Sequence, residues 1–145
     1  MTATTSDVIR IGQLTIRFLL EADATAGELT AFEFAVPSEA RVMAAHSHDA
    51  YDETVYGVAG ALIWTVDGEE FEIGPGEVLF IPRGAVHKFA NRGHAEAVAY
   101  AVATPGILGP DFFREVAAVV DATVGPPDLA AIGEVMRRHG LTPAP

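Results

Sequence analysis

The chain contains no cysteine, which removes disulfide staples, thiolate metal ligands and cysteine nucleophiles together. Any metal it holds must be bound through nitrogen and oxygen. Basic residues are scarce as well: nine lysines and arginines stand against twenty acidic residues, for a formal charge of −11. That field repels phosphate backbones and anionic lipid headgroups, so neither nucleic acid nor a membrane surface is expected as a partner. No apolar run approaches a membrane span, and MTATTSDVIR at the start lacks the basic-then-apolar order of a secretory leader. A cytoplasmic location is the expectation. Internal repeats and low-complexity segments are also absent.

What is present fits one domain. The 145 residues are half hydrophobic and include 14 glycines and 9 prolines, a composition for a globular chain rich in turns. From Val8 to about Thr104 short β-rich runs alternate with turn residues. LTIRFLL (14–20) and LTAFEFAV (29–36) read as strands, with Thr30, Phe32, Phe34 and Val36 on one face of the second. ALIWTVDGEEFEI (61–73) carries Asp67-Gly68 between two apolar-rich runs, the sequence of a tight hairpin. GPGEVLFIP (74–82) and AVAYAVATPG (97–106) each add a turn and a strand. This spacing predicts an all-β sandwich or barrel.

After Gly109 the period changes. Phe112, Phe113, Val116, Val119 and Val120 recur at helical spacing behind Pro110-Asp111. A second helix is predicted after Pro126-Pro127-Asp128, with Leu129, Ile132, Val135 and Met136 on one face, Arg137 and Arg138 in its last turn and Gly140 at its stop. Residues 1–106 are thus expected to form the β-barrel, and 107–145 a tail of two α-helices packed on it. A piece of fewer than about 40 residues without disulfides is hard to stabilise alone.

Chemistry gathers in HSHDAYDETVYGVAG (46–60). His46 and His48 lie two apart at the expected end of a strand, so both side chains take the same face, as chelation requires. By itself such a pair is equally a solvated loop. Its context is His-x-His-x4-Glu-x6-Gly, ending at Glu53 and Gly60, and a second block places Gly76, Pro82, Gly84, His87 and Asn91 in order. Asp52 competes with Glu53, because an intervening loop can alter the two-residue alternation. His94 and His139 read as surface residues and Asn91 as structural. Phe89 is a candidate pocket wall or core residue; Tyr51, Trp64 and Arg83 are ambiguous.

The two blocks together resemble the motifs of the cupins, small jelly-roll barrels built as a double-stranded β-helix. Ala40 departs from that pattern, where the family often has glycine. The resemblance implies one divalent transition metal ion per chain (Fe, Mn, Ni, Co, Cu or Zn), held by His46, His48, Glu53 and His87, with positions left open for a small-molecule substrate. It also implies a second role for Glu53, as a catalytic base. Thr104-Pro105-Gly106 and Phe112-Phe113-Arg114-Glu115 extend the likeness towards quercetinase-like dioxygenases. The expected function is an oxygen-dependent dioxygenase acting on a small enolisable or hydroxylated aromatic substrate. The alternatives are a non-redox lyase, isomerase or decarboxylase, and a non-catalytic ligand-binding barrel. A homodimer is implied too, and the strand near Val8 to Ile11 could add to a partner's sheet edge.

Overall fold

The computed structural model describes residues 7–145. The first six, part of the stretch read for a leader, lie outside the described residues. Among the described residues, eleven strands form two antiparallel sheets that face one another. The six-stranded sheet has the order β1 (Asp7–Ile11), β2 (Leu14–Leu20), β3 (Thr30–Val36), β10 (Ala97–Thr104), β5 (Asp52–Ala59) and β8 (Val78–Ile81). The five-stranded sheet runs β11 (Leu141–Pro143), β4 (His46–His48), β9 (His87–Ala90), β6 (Leu62–Val66) and β7 (Glu69–Ile73). The helices α1 (Pro110–Ala122) and α2 (Leu129–Arg138) intervene between β10 and β11. The all-β expectation with a helical tail is met. No helix among the described residues is long and apolar enough to cross a membrane.

Alternation along the strands decides what faces inward. On β3, Phe32, Phe34 and Val36 are buried, as predicted. On β10 the buried residues are Ala97, Ala99, Ala101 and Ala103, while Val98, Tyr100 and Val102 lie on the outer face. The register explains this reversal of size: Ala99 sits opposite Phe34 and Ala101 opposite Phe32. Small residues beside large rings let the layer fill at the density of a protein interior. On the other flank of β10, Ala103 is opposite Glu53, leaving room for an inward carboxylate.

Turns set the registers. Asp67 and Gly68 adopt φ of 47° and 85°, the left-handed pair that a two-residue hairpin needs. Asp67 then reaches a second element, because its Oδ1 accepts from Val86 N–H at 2.8 Å and its own N–H donates to the Val86 carbonyl at 2.8 Å. The hairpin tip is thereby tied to the residue preceding His87.

The helices close one side of the barrel. Phe113 of α1 packs against Phe32 (centroids 5.1 Å) and Phe18 (6.1 Å). Asp128 caps α2 by accepting from Ala131 N–H at 3.0 Å, which spares one of the helix's unpaired donors. Two expectations change. Leu129, placed with the apolar face of α2, is 62% exposed, because it occupies the first turn before that face meets the barrel. His139, read as a surface residue, is half-buried at the end of α2, paired with Glu115 of α1 and edge-on to Phe112. The chain then rejoins the sheet through β11, whose Leu141, Thr142 and Pro143 pair with His48, Ser47 and His46. Proline is tolerated there because β11 is an edge strand.

Candidate metal centre

Three histidines from two adjacent strands meet inside the barrel. His46 is directly opposite His87 in the pairing of β4 with β9, and His48 follows on the same face. The ring centroids are 5.2 Å apart for His46 and His48, 4.8 Å for His46 and His87, and 4.5 Å for His48 and His87. One ring nitrogen from each lies within 4.8 Å of the others. All three are buried.

The imidazoles are prepared to act as neutral donors. Burial, reinforced by His87, pushes His46 down to about 4. Burial also lowers His48, with His87 and His46 adding to it, and lowers His87 against the opposing effects of the Ala85 carbonyl and Asp67. His46 Nδ1 lies 2.8 Å from the Ala44 carbonyl and His87 Nδ1 3.0 Å from the Ala85 carbonyl. A carbonyl only accepts, so each Nδ1 carries the proton and each Nε2 keeps a free lone pair. Orientation of this kind is how metal-binding histidines are commonly held. His48 differs: its Nδ1 is buried without a hydrogen-bond partner, and its ring stacks on Tyr51 at 4.4 Å.

Glu53 approaches from the opposite sheet. Because β5 begins at Asp52, the alternation is unbroken: Glu53, Val55 and Gly57 point inward. Glu53 Oε1 lies 3.7 Å from His48 Nε2. With His48 neutral this is a contact between ligand-type atoms rather than an ion pair. Burial raises the carboxyl to about 7, so it lacks the charge partner that would normally accompany a buried carboxylate. Three neutral imidazoles and an uncompensated acid in one buried place form a donor set that a divalent cation would satisfy.

Asp52 points outward, accepting from Arg83 Nε at 3.2 Å, Nη2 at 3.1 Å and backbone N–H at 2.9 Å. Asp52 is thereby held away from the histidines, whereas Glu53 faces them, and Arg83 has a partner. Asp49 accepts from Thr142 Oγ1 at 2.7 Å and so fastens β11 instead of entering the site. Asn91 donates to the Val36 and Ala95 carbonyls, each at 2.9 Å, as a structural residue does. His94 is exposed. Tyr51, fully buried against His48, has no hydrogen-bond partner for its hydroxyl; burial, then Glu53 and Asp49, raise that hydroxyl.

The histidines and Glu53 line a cavity of about 40 Å³ whose other walls include Trp64, Phe89, Phe34 and Phe112. Phe89 is therefore both pocket wall and core, stacked on Phe34 at 5.1 Å. Missed in the sequence are the positioning groups, namely the carbonyls of Ala44 and Ala85 and the carboxylate of Asp67. Backbone carbonyls leave no sequence signal, whereas Asp67 is marked only as a turn residue.

A family model for the cupin domain matches residues 32–103, from β3 to β10. The chain belongs to the cupin superfamily. As a cupin it is 33% identical over 69 residues to quercetin 2,3-dioxygenase of Bacillus subtilis, a match covering 48% of this chain and 20% of that one. It is 38% identical over 74 residues to the tetracenomycin polyketide synthase protein TcmJ of Streptomyces glaucescens, covering 51% of this chain and 48% of that one. These matches thus span less than half the length of either curated relative. Among solved structures, the polyketide cyclase RemF from Streptomyces resistomycificus superposes with a TM-score of 0.58 at 26% identity, covering 69% of this cupin and 72% of RemF.

Proposed function

We propose that this cupin is a metal-dependent enzyme holding one divalent transition metal ion through His46, His48, His87 and Glu53. The carrying observation is the convergence of three buried neutral imidazoles, with the buried Glu53 carboxyl 3.7 Å from His48 and its charge offset by no other group. When bound, the ion would supply Lewis acidity for an enolate and, if redox-active, a route for electrons to dioxygen. His46 and His87 present Nε2 because their Nδ1 protons are committed to Ala44 and Ala85. Glu53 holds the ion and, when it swings off, is the carboxylate placed to take a proton from an enolisable carbon or hydroxyl. Phe34, Phe89, Trp64 and Phe112 wall the small space beside the donors with apolar faces, leaving room there for the reacting end of a substrate.

The reaction proposed is dioxygenation of a small enolisable or hydroxylated aromatic molecule, supported by the match to a quercetin dioxygenase. A second reading, ring closure or another non-redox enolate reaction at the same ion, is supported by the matches to a polyketide synthase protein and a polyketide cyclase. Oxygen uptake by the iron-, nickel-, manganese- or copper-loaded protein on a panel of flavonols, β-diketones and catechols tests the first. Equal turnover under strict anaerobiosis would overturn it and leave the second.

The proposal includes a homodimer. Tyr56, Val58, Val78, Phe80, Tyr100 and Val102 form an uncharged outer face on β5, β8 and β10, with Val78 59% and Phe80 57% exposed. Two copies carrying −11 each repel one another least where uncharged side chains meet, and of the acids bordering this patch, Asp52 is paired with Arg83 while Glu33 lies opposite Tyr100. β1, the strand expected to add to a partner's sheet edge, pairs with β2 of its own chain and forms the edge of the six-stranded sheet.

A further inference from the structure

The cavity beside the histidines is too small for the substrates just considered: about 40 Å³ admits roughly three water molecules. A second space adjoins it. A groove of about 830 Å³ runs between residues 41–44 and the connection from α1 to α2, floored by Val116 and Val120 and edged by Leu129. Ile11, Leu14 and Met43 line both spaces, so these three side chains are the wall between them. Ile11 and Leu14 are fixed opposite one another in the β1–β2 ladder. Met43 is half-buried within residues 40–45, which lie outside any strand or helix. An unbranched thioether on irregular backbone is the part of this wall most able to move.

The groove carries one charge of each sign. Its charged lining residues are Arg41 and Asp128. The Asp128 carboxylate caps α2. The Arg41 side chain is exposed and in no ion pair among the described residues, while its backbone N–H is anchored to Gln13 Oε1 at 3.2 Å. In a chain of formal charge −11, a free guanidinium beside the wall of the chamber marks where an anion can approach.

We propose that this groove is the entrance and outer binding subsite of the chamber, with Met43 as a movable partition and Arg41 as the anchor for the carboxylate or phenolate of an anionic substrate. The inference rests on the proposed function for what happens inside, but its geometry does not require the metal. The groove holds the bulk of the molecule, and only its enolisable end passes Met43. Leu129, exposed for a leucine on an otherwise buried helix face, then has a role as an apolar wall of the groove.

Trp64, the chain's single tryptophan, is buried and lines the inner cavity, so its fluorescence reports what enters. The test is quenching of metal-free protein by neutral acrylamide and by iodide. Met43→Ala should raise quenching by both several-fold, and Met43→Leu should leave both near wild type. Arg41→Glu should lower the iodide constant by about twofold or more with acrylamide unchanged, whereas Arg92→Glu, an equal change of charge elsewhere on the surface, should not. Benzoate should protect Trp64 from acrylamide in wild type and Arg41→Lys but not in Arg41→Glu. Wild-type quenching in a natively folded Met43→Ala, or equal effects of Arg41→Glu and Arg92→Glu, would overturn the proposal. Should Met43→Ala not fold, the Arg41 and Arg92 comparison decides alone. Metal content is measured on separate samples: failure to retain an ion would count against the proposed function and leave the quenching result standing.

Discussion

Glu53 has two opposite effects on the molecule, and pH separates them. In the metal-free protein its folded pKa, about 7, lies above the usual value of 4.5. The folded state therefore binds the extra proton between those values, and stability falls as pH rises from 4.5 to 7. Glu53→Gln should make the metal-free protein more stable at pH 8 by roughly 1–3 kcal/mol, a gain that vanishes below pH 4.5, as urea unfolding at both pH values would show. His46 works the other way: with a folded value near 4, it costs stability as pH falls from 6.5 to 4 in both proteins alike, so it cancels from the difference. In the presence of metal the order should invert, with Glu53→Gln weakening retention about tenfold or more. A variant that is no more stable without metal would show that the carboxylate is not buried uncompensated.

At the same scale, the three histidines were legible because a chelating pair and a distant third histidine sit in two spaced blocks. Choosing Glu53 over Asp52 was not decidable from spacing, since it depends on β5 starting at Asp52 without an intervening loop. The Arg83 partnership that turns Asp52 outward joins residues 31 apart in sequence, a separation that no local pattern encodes.

Among elements, β10 shows how pattern can mislead about direction. Its larger residues point out and its alanines point in, because the rings of β3 already fill the interior beside them. Ala101→Leu should therefore destabilise by about 1–3 kcal/mol through overpacking, measured by denaturant unfolding. The strands and both helices were readable from their periods, and Asp67-Gly68 from its turn chemistry. β11 was not: three residues containing a proline give no period. It nonetheless pairs with all three residues of β4, and Ala144 N–H donates to the Ala45 carbonyl at 2.9 Å. The tail proposed for residues 107–145 is on this account part of the site's support. Ending the chain at Gly140 should lower metal retention even if the barrel still folds, as metal analysis of the truncated protein would reveal.

For the whole molecule, composition set the main expectation: a chain without cysteine can hold a metal only through nitrogen and oxygen. The uncharged face on β5, β8 and β10 is the proposed dimer surface. Phe80→Glu places a charge at its centre and should shift the protein to monomer in sedimentation without changing metal content; a persistent dimer would move the interface elsewhere. Every role assigned to the donor residues depends on the metal centre. Its most direct test is the metal content of protein purified without added ions, compared with that of His87→Ala, which retains the other three donors. We predict about one ion per chain in the wild type and less than about a tenth of that in the variant. Near-stoichiometric metal in His87→Ala would contradict the assignment.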